Sequence, residues 1–338
     1  MTADDAPLLA VRDLAVEFDV PGGTVHAVNG IDLAVGQGEV VGLVGESGCG
    51  KTVAVLAVLG LLPPTGRVVR GEAWFGRRDL LRLSQRELRR VRGREIAMVF
   101  QDPLTSLHPA MRVGDQVAEA LEVHDASLTR RAAARRAVEL LDLVGIPDPP
   151  RRSRDHPHRW SGGMRQRAVI AMAVANRPAL IIADEPTTAL DVTVQAQVLD
   201  VLTQARRETG AAVVLITHDL GVVAEVCDRV VVVYAGRVVE TAPVHELFRH
   251  PRHPYTAGLL ASVPRLEGPV RLHDPIPGQP PTLLEVPAGC AFADRCALGA
   301  GREQCRAERP LLRPVGGRGH QAACHLAGEH DGADGAGR

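Results

Sequence analysis

The sequence has few aromatic residues and almost no net charge, and both absences narrow the possible functions. Aromatic residues make up 3% of the 338 positions, whereas hydrophobic residues make up 45%. This balance argues against an aromatic-rich binding module and favours sheets of Val, Leu, Ala and Ile covered by helices. The formal net charge of -1 provides no general attraction for a polyanion, so we expect no nucleic-acid partner.

Long apolar runs are also missing. The longest uncharged apolar stretches, 53–62 and 168–175, are far shorter than the roughly 20 residues of a membrane-spanning helix. Residues 1–7 contain two acids and neither the basic nor the apolar part of a secretory signal. We therefore expect no such signal and a cytosolic chain, in which disulfides are rare.

The order of the predicted strands and helices indicates an α/β fold. Alternating patterns at 8–18 and 25–35, joined by a turn at 21–23, predict an N-terminal β-layer. Helical patterns over about 102–160 predict a helical subdomain inserted into the α/β core. Strands and helices then alternate again, which predicts a mainly parallel sheet. The strands predicted there are 180–183, 213–216 and 230–234.

A glycine-rich loop follows the apolar strand 40–44 and precedes a helix predicted over 51–62, which Pro63 and Pro64 would end. The loop fits G-x-x-x-x-G-K-[ST]. Glycines let backbone N–H groups converge on phosphate oxygens, Lys51 reaches the β and γ phosphates, and the Thr52 hydroxyl ligates Mg²⁺. The sequence therefore predicts a site for ATP and Mg²⁺. Its residues are Gly45, Glu46, Ser47, Gly48, Cys49, Gly50, Lys51 and Thr52.

Lys51 is the one lysine among 39 basic residues. Everywhere else the chain uses arginine for positive charge. A compact ammonium fits among phosphates where a planar guanidinium does not, so we interpret Lys51 as a phosphate ligand.

Two further stretches carry residues suited to the same chemistry. The apolar strand 180–183 runs into Asp184 and Glu185. In a chain with a phosphate loop, Asp184 is predicted to hold Mg²⁺ and Glu185 to orient or deprotonate the attacking water. Residues 161–163, Ser-Gly-Gly, open a predicted helix with a capping hydroxyl and room for close approach, which is a ready anion site.

The run 161–167, Ser-Gly-Gly-Met-Arg-Gln-Arg, resembles the Leu-Ser-Gly-Gly-Gln signature of the ABC ATPase family, from which it departs at Trp160 and Met164. Its Met-Arg-Gln-Arg ending is similar to the peptide-importer branch. The resemblance implies a P-loop NTPase core and assigns Ser161, Gly162 and Gly163 to ATP binding. It also implies the Q-loop residue at Gln101, with a Mg²⁺ contact, a D-loop residue at Asp191, the switch histidine at His218 and the adenine-stacking aromatic at Phe18.

The same resemblance implies partners. In ABC ATPases two subunits enclose each ATP, so a second ATPase subunit is expected, either a paralogue or another copy. Residues 101–115 would dock two transmembrane permease subunits, and an extracytoplasmic solute-binding protein would act indirectly. The chain would lie peripherally on the cytoplasmic face of the membrane. The stretch 102–107 is similar to peptide and nickel importers, so nickel or another non-peptide cargo stays open beside peptides, as does a soluble ABC ATPase without a transport role.

Four of the six cysteines lie in a proline-rich C-terminal segment, spaced C-x5-C-x8-C-x18-C, and predict a metal site in a cytosolic protein. They are Cys290, Cys296, Cys305 and Cys324. The spacing does not choose the metal. The runs 253–256 and 289–292 resemble the C-terminal extension of oligopeptide and dipeptide importer ATPases, which favours a [4Fe-4S] cluster. Zn²⁺ is the alternative because His320 and His325 flank Cys324, and four reduced structural thiols are the third possibility.

The sequence thus divides into three predicted regions. Residues 1–250 form the ABC ATP-binding domain, residues 251–327 the cysteine-rich extension, and residues 328–338 a disordered tail. Cys49 is expected to fill space in the phosphate loop, and Cys227 to be a buried apolar residue.

Overall fold

The computed structural model describes residues 6–188, 191–262 and 276–328. The chain divides into two compact units. The first unit contains residues 1–6, 35–40 and 82–216, and the second contains residues 7–34, 41–81 and 217–338. Of the predicted tail, residues 329–338 lie outside the described residues. The division at residue 250 also stays a prediction.

The secondary structure follows the chain in this order, within the described residues. The strands are β1 (Leu9–Val20), β2 (Gly23–Val35), β3 (Val40–Val44), β4 (Gly66–Phe75), β5 (Arg78–Asp79), β6 (Ile96–Val99), β7 (Leu180–Asp184), β8 (Ala212–Ile216), β9 (Arg229–Tyr234), β10 (Arg237–Pro243), β11 (Arg313–Pro314) and β12 (Gln321–Ala322). The helices are α1 (Lys51–Val58), α2 (Gln85–Val91), α3 (Pro103–Ser106), α4 (Val113–Glu122), α5 (Arg130–Leu143), α6 (Pro149–Arg152), α7 (Gly162–Val174), α8 (Val192–Thr209), α9 (Leu220–Val226), α10 (Val244–Arg249), α11 (Pro254–Ala261) and α12 (Glu303–Ala307).

The predicted N-terminal β-layer is confirmed as a four-stranded sheet of the second unit, in the order β2-β1-β4-β5. β1 and β4 pair antiparallel, from Leu9 opposite Phe75 to Phe18 opposite Gly66. Only two residues separate β1 from β2, so the predicted turn is a tight hairpin connection. Leu9, Leu14 and Val16 of β1 are buried, whereas Val69 and Trp74 of β4 are exposed.

The second unit also contains strands in the order β11-β12-β10-β9-β3. β3 pairs parallel with β9, as the sequence predicts, but β9, β10, β12 and β11 pair antiparallel with one another. The parallel pairing expected of strand 230–234 is therefore confirmed, and the antiparallel edge formed by β10, β12 and β11 was not predicted from the sequence. β11 and β12 have two residues each, too few to produce a readable period in the sequence.

Helix α1 ends at Val58, four residues before the predicted end at 62. The cause is Gly60, which adopts φ 61°. The amides of Gly60 and Leu61 donate to the carbonyls of Ala57 and Leu56, at 3.0 and 2.8 Å. This pair of bonds is the Schellman arrangement, in which a left-handed glycine closes the last helical turn. The glycine therefore ends the helix before the two prolines are reached.

The first unit has a parallel sheet of buried strands, in which β7 pairs with β6 on one side and with β8 on the other. Helices α3 to α6 lie within the span 102–160, and α4 packs against α5 and α7. The buried amide of Gln116 accepts from the His108 amide at 2.8 Å and donates to the carbonyls of His108 and Met111. The helical content of this span is confirmed, while its limits as a subdomain stay a prediction.

Candidate functional site

The glycine-rich loop of the second unit connects β3 to α1, as the sequence predicts. Gly45 has φ 151° and Gly50 has φ 101°. A Cβ on Gly45 would lie 2.1 Å from the Val233 carbonyl oxygen, and a Cβ on Gly50 would lie 2.4 Å from that of Ala27. No side chain fits at either position, so the backbone itself forms the wall of the loop. Ser47 and Gly48 are exposed at its tip.

Lys51 is buried, and its ammonium is held by the loop. The Nζ atom donates to the Gly45 carbonyl at 2.7 Å and to the Glu46 carbonyl at 3.0 Å. Cys49 fills space beneath it, as predicted, and burial raises the pKa of the Cys49 thiol although Lys51 opposes the shift. Thr52 follows in the first turn of α1, whose N-terminus carries no side-chain cap. Uncapped amides, an ammonium and a hydroxyl are the groups that bind phosphate and its metal ion.

Two side chains that sequence reasoning missed contact Glu46. The backbone amide of Glu46 donates to the Tyr255 hydroxyl at 2.7 Å. The Glu46 carboxylate accepts from Arg295 Nη1 at 2.7 Å and from Nη2 at 2.9 Å. These hydrogen bonds raise the pKa of Arg295 above its usual value. No motif signals these contacts, because 209 and 249 residues separate the partners in the chain.

The acidic pair lies in the first unit, at the end of β7. Asp184 is buried, with 4% of its surface exposed. Glu185 adopts φ 46°, and its amide donates to the Ile216 carbonyl at 2.8 Å. A non-glycine residue in the left-handed region is strained, and such strain concentrates at functional sites.

Gln101 and Glu185 come together within this unit. Gln101 Nε2 donates to Glu185 Oε2 at 3.1 Å, and the Thr188 hydroxyl donates to the same oxygen at 2.8 Å. The carboxylate is therefore oriented by two neighbours. Thr188 is a third residue that the sequence did not predict, after Tyr255 and Arg295; its place three residues after Glu185 is the one signal that would have indicated it.

Ser161 caps helix α7, and its hydroxyl accepts from the Met164 amide at 3.3 Å. A Cβ on Gly163 would lie 2.5 Å from Val194 Cγ1, so the helix start approaches α8 closely. Gly162 opens the helix. Asp191 caps α8 by accepting from the Val194 amide at 3.0 Å, while its neighbours 189 and 190 lie outside the described residues. The cap predicted at Ser161 is thus present, whereas the cap at Asp191 was not predicted and the D-loop role of Asp191 stays a prediction.

Phe18 and His218 lie in the second unit. Phe18 is half-buried in β1, and a Cβ on the opposite Gly66 would lie 2.6 Å from its ring. His218 is exposed directly after Thr217, whose amide donates to the Leu43 carbonyl of β3 at 3.4 Å. His218 therefore follows a residue bound to the strand that leads into the glycine-rich loop. The roles predicted for Phe18 and His218 stay predictions.

The four cysteines of the extension lie in the second unit, and none of them forms a disulfide. Cys296 Sγ and Cys305 Sγ lie 3.4 and 3.6 Å from the place that a Cβ on Gly299 would take. Burial and the neighbouring thiols raise the pKa of Cys324 to about 11, and burial raises the pKa of Cys290. The four side chains thus share one neighbourhood.

The four thiols are not arranged as a metal-binding site. Within residues 6–188, 191–262 and 276–328, no group of three or more His, Cys, Asp or Glu side chains is placed to hold a metal ion. His320 Nε2 lies 2.7 Å from Glu240 Oε1, and His325 Nε2 lies 3.0 Å from the Glu308 carbonyl. Both imidazoles therefore face partners other than the thiols. The geometry supports neither the predicted iron–sulfur cluster nor the zinc alternative.

Across the part of the chain that the structure describes, no helix combines the length and the apolar character needed to cross a membrane.

Comparison with known proteins identifies two matching families. The ABC transporter family matches residues 28–188, and the family described as oligopeptide/dipeptide transporter, C-terminal region, matches residues 239–305. A probable peptide ABC transporter ATP-binding protein of Sinorhizobium fredii is 51% identical over 95% of this chain and 96% of its own length. A dipeptide transport ATP-binding protein of Bacillus subtilis is 51% identical over 86% of each chain.

An oligopeptide transport ATP-binding protein of Mycobacterium bovis is 56% identical over 94% of this chain, but the match spans 52% of that relative, or about half its length. Among solved structures, a dimeric ATP-binding cassette bound to ADP and phosphate aligns with a TM-score of 0.63 and 26% identity, covering 70% of this chain and 98% of the cassette. An ABC transporter component of Clostridium perfringens aligns with a TM-score of 0.62 and 27% identity, covering 72% and 92%.

Proposed function

The chain belongs to the ABC transporter family of ATP-binding proteins, in its oligopeptide and dipeptide branch, and from this premise we propose that it hydrolyses ATP to drive import of peptides through a membrane permease. The observation that carries the proposal is the glycine-rich loop, in which backbone walls surround the ammonium of Lys51. The relatives named for oligopeptide and dipeptide transport support peptides as the cargo.

In this proposal the loop residues 45–52 bind the triphosphate. Lys51 exchanges its bonds to the Gly45 and Glu46 carbonyls for bonds to phosphate oxygens, and the amides at the start of α1 complete the cradle. Phe18 stacks on the adenine. The loop thus supplies binding and charge, without any covalent step.

Mg²⁺ takes oxygen ligands, and we propose the hydroxyl of Thr52, the carboxylate of Asp184 and the amide oxygen of Gln101 as the groups that would hold it. When bound, Mg²⁺ neutralises charge on the phosphates. Glu185, oriented by Gln101 and Thr188, accepts a proton from the attacking water or fixes its direction, and His218 orients the γ phosphate.

We propose that the working form is a dimer, in which Ser161, Gly162 and Gly163 of one subunit and the glycine-rich loop of another enclose one ATP, with Asp191 nearby. The capped start of α7 provides the anion site that this arrangement needs. The solved cassette bound to ADP and phosphate is dimeric. The second subunit is a paralogue or a further copy of this chain.

The remaining partners follow from transport. Two transmembrane permease subunits dock on residues 101–115, a solute-binding protein delivers cargo from outside, and the chain lies on the cytoplasmic face of the membrane.

Nickel or another non-peptide cargo is the alternative within the family, and a soluble ATPase without a permease is the alternative outside it. Uptake by vesicles that contain the full transporter distinguishes them. Uptake of labelled peptide supports peptides as the cargo, whereas uptake of nickel without uptake of peptide would identify nickel as the cargo instead.

The central experiment is Glu185→Gln in the assembled transporter. The variant keeps the hydrogen-bonding shape of the side chain but not its basicity, so we expect ATP affinity within about threefold of wild type and hydrolysis reduced about 100-fold or more. The exposed Glu208→Gln of the same unit is the matched control and should hydrolyse ATP normally. An unchanged rate in Glu185→Gln would remove Glu185 from this role.

For the extension we propose that Cys290, Cys296, Cys305 and Cys324 bind a metal, as a [4Fe-4S] cluster or as Zn²⁺. Their spacing supports the proposal, and no step of hydrolysis depends on it. Anaerobic purification tests it: iron with absorbance near ~400 nm supports the cluster, and colourless protein with stoichiometric zinc supports the alternative. Protein containing neither metal leaves four structural thiols.

A further inference from the structure

Glu46 is an acidic residue inside the loop that receives a polyanion. It lies between Gly45 and Ser47, and its own carbonyl accepts from Lys51 Nζ at 3.0 Å. A carboxylate this close to a triphosphate repels it unless a cation compensates the charge. Because Glu46 belongs to the loop itself, its carboxylate requires a cation from another part of the chain to compensate its charge.

Arg295 brings that charge from the extension. Its guanidinium forms two parallel bonds to the Glu46 carboxylate, at 2.7 and 2.9 Å, and only 8% of the residue is exposed. Such bidentate pairs combine charge with fixed direction. A lysine would supply the charge but not the fork.

The guanidinium is itself held in place by other groups. Nε donates to the Pro277 carbonyl at 2.9 Å, and Nη1 donates to the Tyr234 hydroxyl at 3.3 Å. The guanidinium carbon lies 5.7 Å from the ring centre of Tyr234 and 5.8 Å from that of Phe292. These contacts hold the guanidinium in place before any nucleotide binds. The guanidinium in turn holds the Glu46 carboxylate in a fixed position.

Tyr255 holds the other end of the same residue. Its hydroxyl accepts from the Glu46 amide at 2.7 Å, and its ring, fully buried, packs 4.6 Å from that of Tyr234. Glu46 is therefore fixed through its amide by Tyr255 and through its carboxylate by Arg295. Both fixing residues come from the chain after position 250.

We propose that Arg295 is a positioning residue for nucleotide binding, which acts by neutralising and fixing Glu46 so that the loop keeps its phosphate-binding form. The extension is then part of the nucleotide site rather than an appendage. This inference rests on the proposed ATP-binding function, and it assigns Arg295 no contact with the nucleotide.

The test measures Mg²⁺-ATP binding by the full chain, with the melting temperature of each variant as the check on folding. Arg295→Ala leaves the Glu46 charge unopposed, so we expect the Kd for ATP to rise about 10- to 100-fold. Adding Glu46→Gln to Arg295→Ala removes the charge that needed compensation, and the double variant should regain most of the lost affinity. Arg295→Lys should fall between wild type and Arg295→Ala. The exposed Arg306→Ala, in the same extension, is the matched control and should bind normally.

The outcomes separate this inference from the proposed function. A wild-type chain that binds no ATP would refute the proposed function itself. Normal ATP binding by wild type and Arg295→Ala alike would refute the inference alone. Weak binding by both Arg295→Ala and the double variant would also refute it, because Arg295 would then support the fold without acting through Glu46. Should Arg295→Ala not fold, Arg295→Lys alone and combined with Glu46→Gln give the same comparison.

Discussion

The glycine-rich loop and the cysteine-rich segment belong to the same compact unit, but they present their functional groups in different ways. The loop takes its shape from the backbone, since neighbouring carbonyls occupy the space where side chains on Gly45 and Gly50 would lie. The segment 290–324 relies on four thiols, of which only Cys305 lies in a helix, α12, while Cys290, Cys296 and Cys324 lie outside the helices and strands. A site made of backbone amides is complete before its ligand arrives, whereas thiol ligands are commonly drawn together by the metal itself.

The largest expected effect tests the rigidity of the loop. Gly45→Ala places a Cβ 2.1 Å from the Val233 carbonyl oxygen at φ 151°, so we expect loss of about 3 kcal/mol or more of stability and loss of ATP binding. Gly76→Ala is the matched control, because Gly76 also has a positive φ but meets no atom within 4 Å. It should cost about 1 kcal/mol and leave ATP binding unchanged. Chemical unfolding and ATP titration measure both quantities, and equal losses in the two variants would contradict a backbone-made site.

A smaller effect on ATP binding is expected from a change in the cysteine-rich segment. Cys324→Ser keeps an acceptor for the Leu326 amide, which donates to Cys324 Sγ at 3.3 Å. We therefore expect ATP affinity within about threefold of wild type, while any iron or zinc bound by the purified chain should fall. Elemental analysis and ATP titration on the same sample check both. A large loss of ATP affinity with unchanged metal content would reverse the assignment of roles to the two regions.

The smallest effect concerns Cys227, a thiol outside the cysteine-rich segment. Burial raises its pKa to about 12 from 9.0, with a further contribution from Asp228. The folded state thus holds the proton of the Cys227 thiol more tightly than the unfolded state. The contribution of this thiol to the free energy of unfolding is therefore complete below pH 9.0 and is lost as the pH rises toward about 12. Cys227→Ala should flatten the decline in the free energy of unfolding over that range. An equally steep decline in both proteins would show that Cys227 is not its source.

Groups fixed by local chain geometry were predictable from the sequence. The glycine-rich loop, the acids after β7 and the cap at Ser161 each depend on neighbours within a few residues. The cap at Ser161 therefore lies where the sequence predicts it.

Contacts between distant parts of the chain were not predictable in this way. Arg295 and Tyr255 carry no motif, and their role in holding Glu46 depends on tertiary packing that no periodic pattern encodes. The antiparallel strands of the extension and the early end of α1 were missed for related reasons: two-residue strands leave no pattern, and the two prolines concealed the effect of Gly60.

The pairing of β12 with β10 has a consequence for the solubility of the protein. Glu240 lies opposite Ala322 in that pairing, and its fully buried carboxylate accepts from the amides of Arg252 and His253 and contacts His320. A chain cut after residue 250 would leave Glu240 and Thr241 of β10 without their partners in β12 and would remove the amides and the imidazole that contact the Glu240 carboxylate. Unpaired strand edges can pair with other chains, so we expect a chain shortened in this way to aggregate more readily than the whole one.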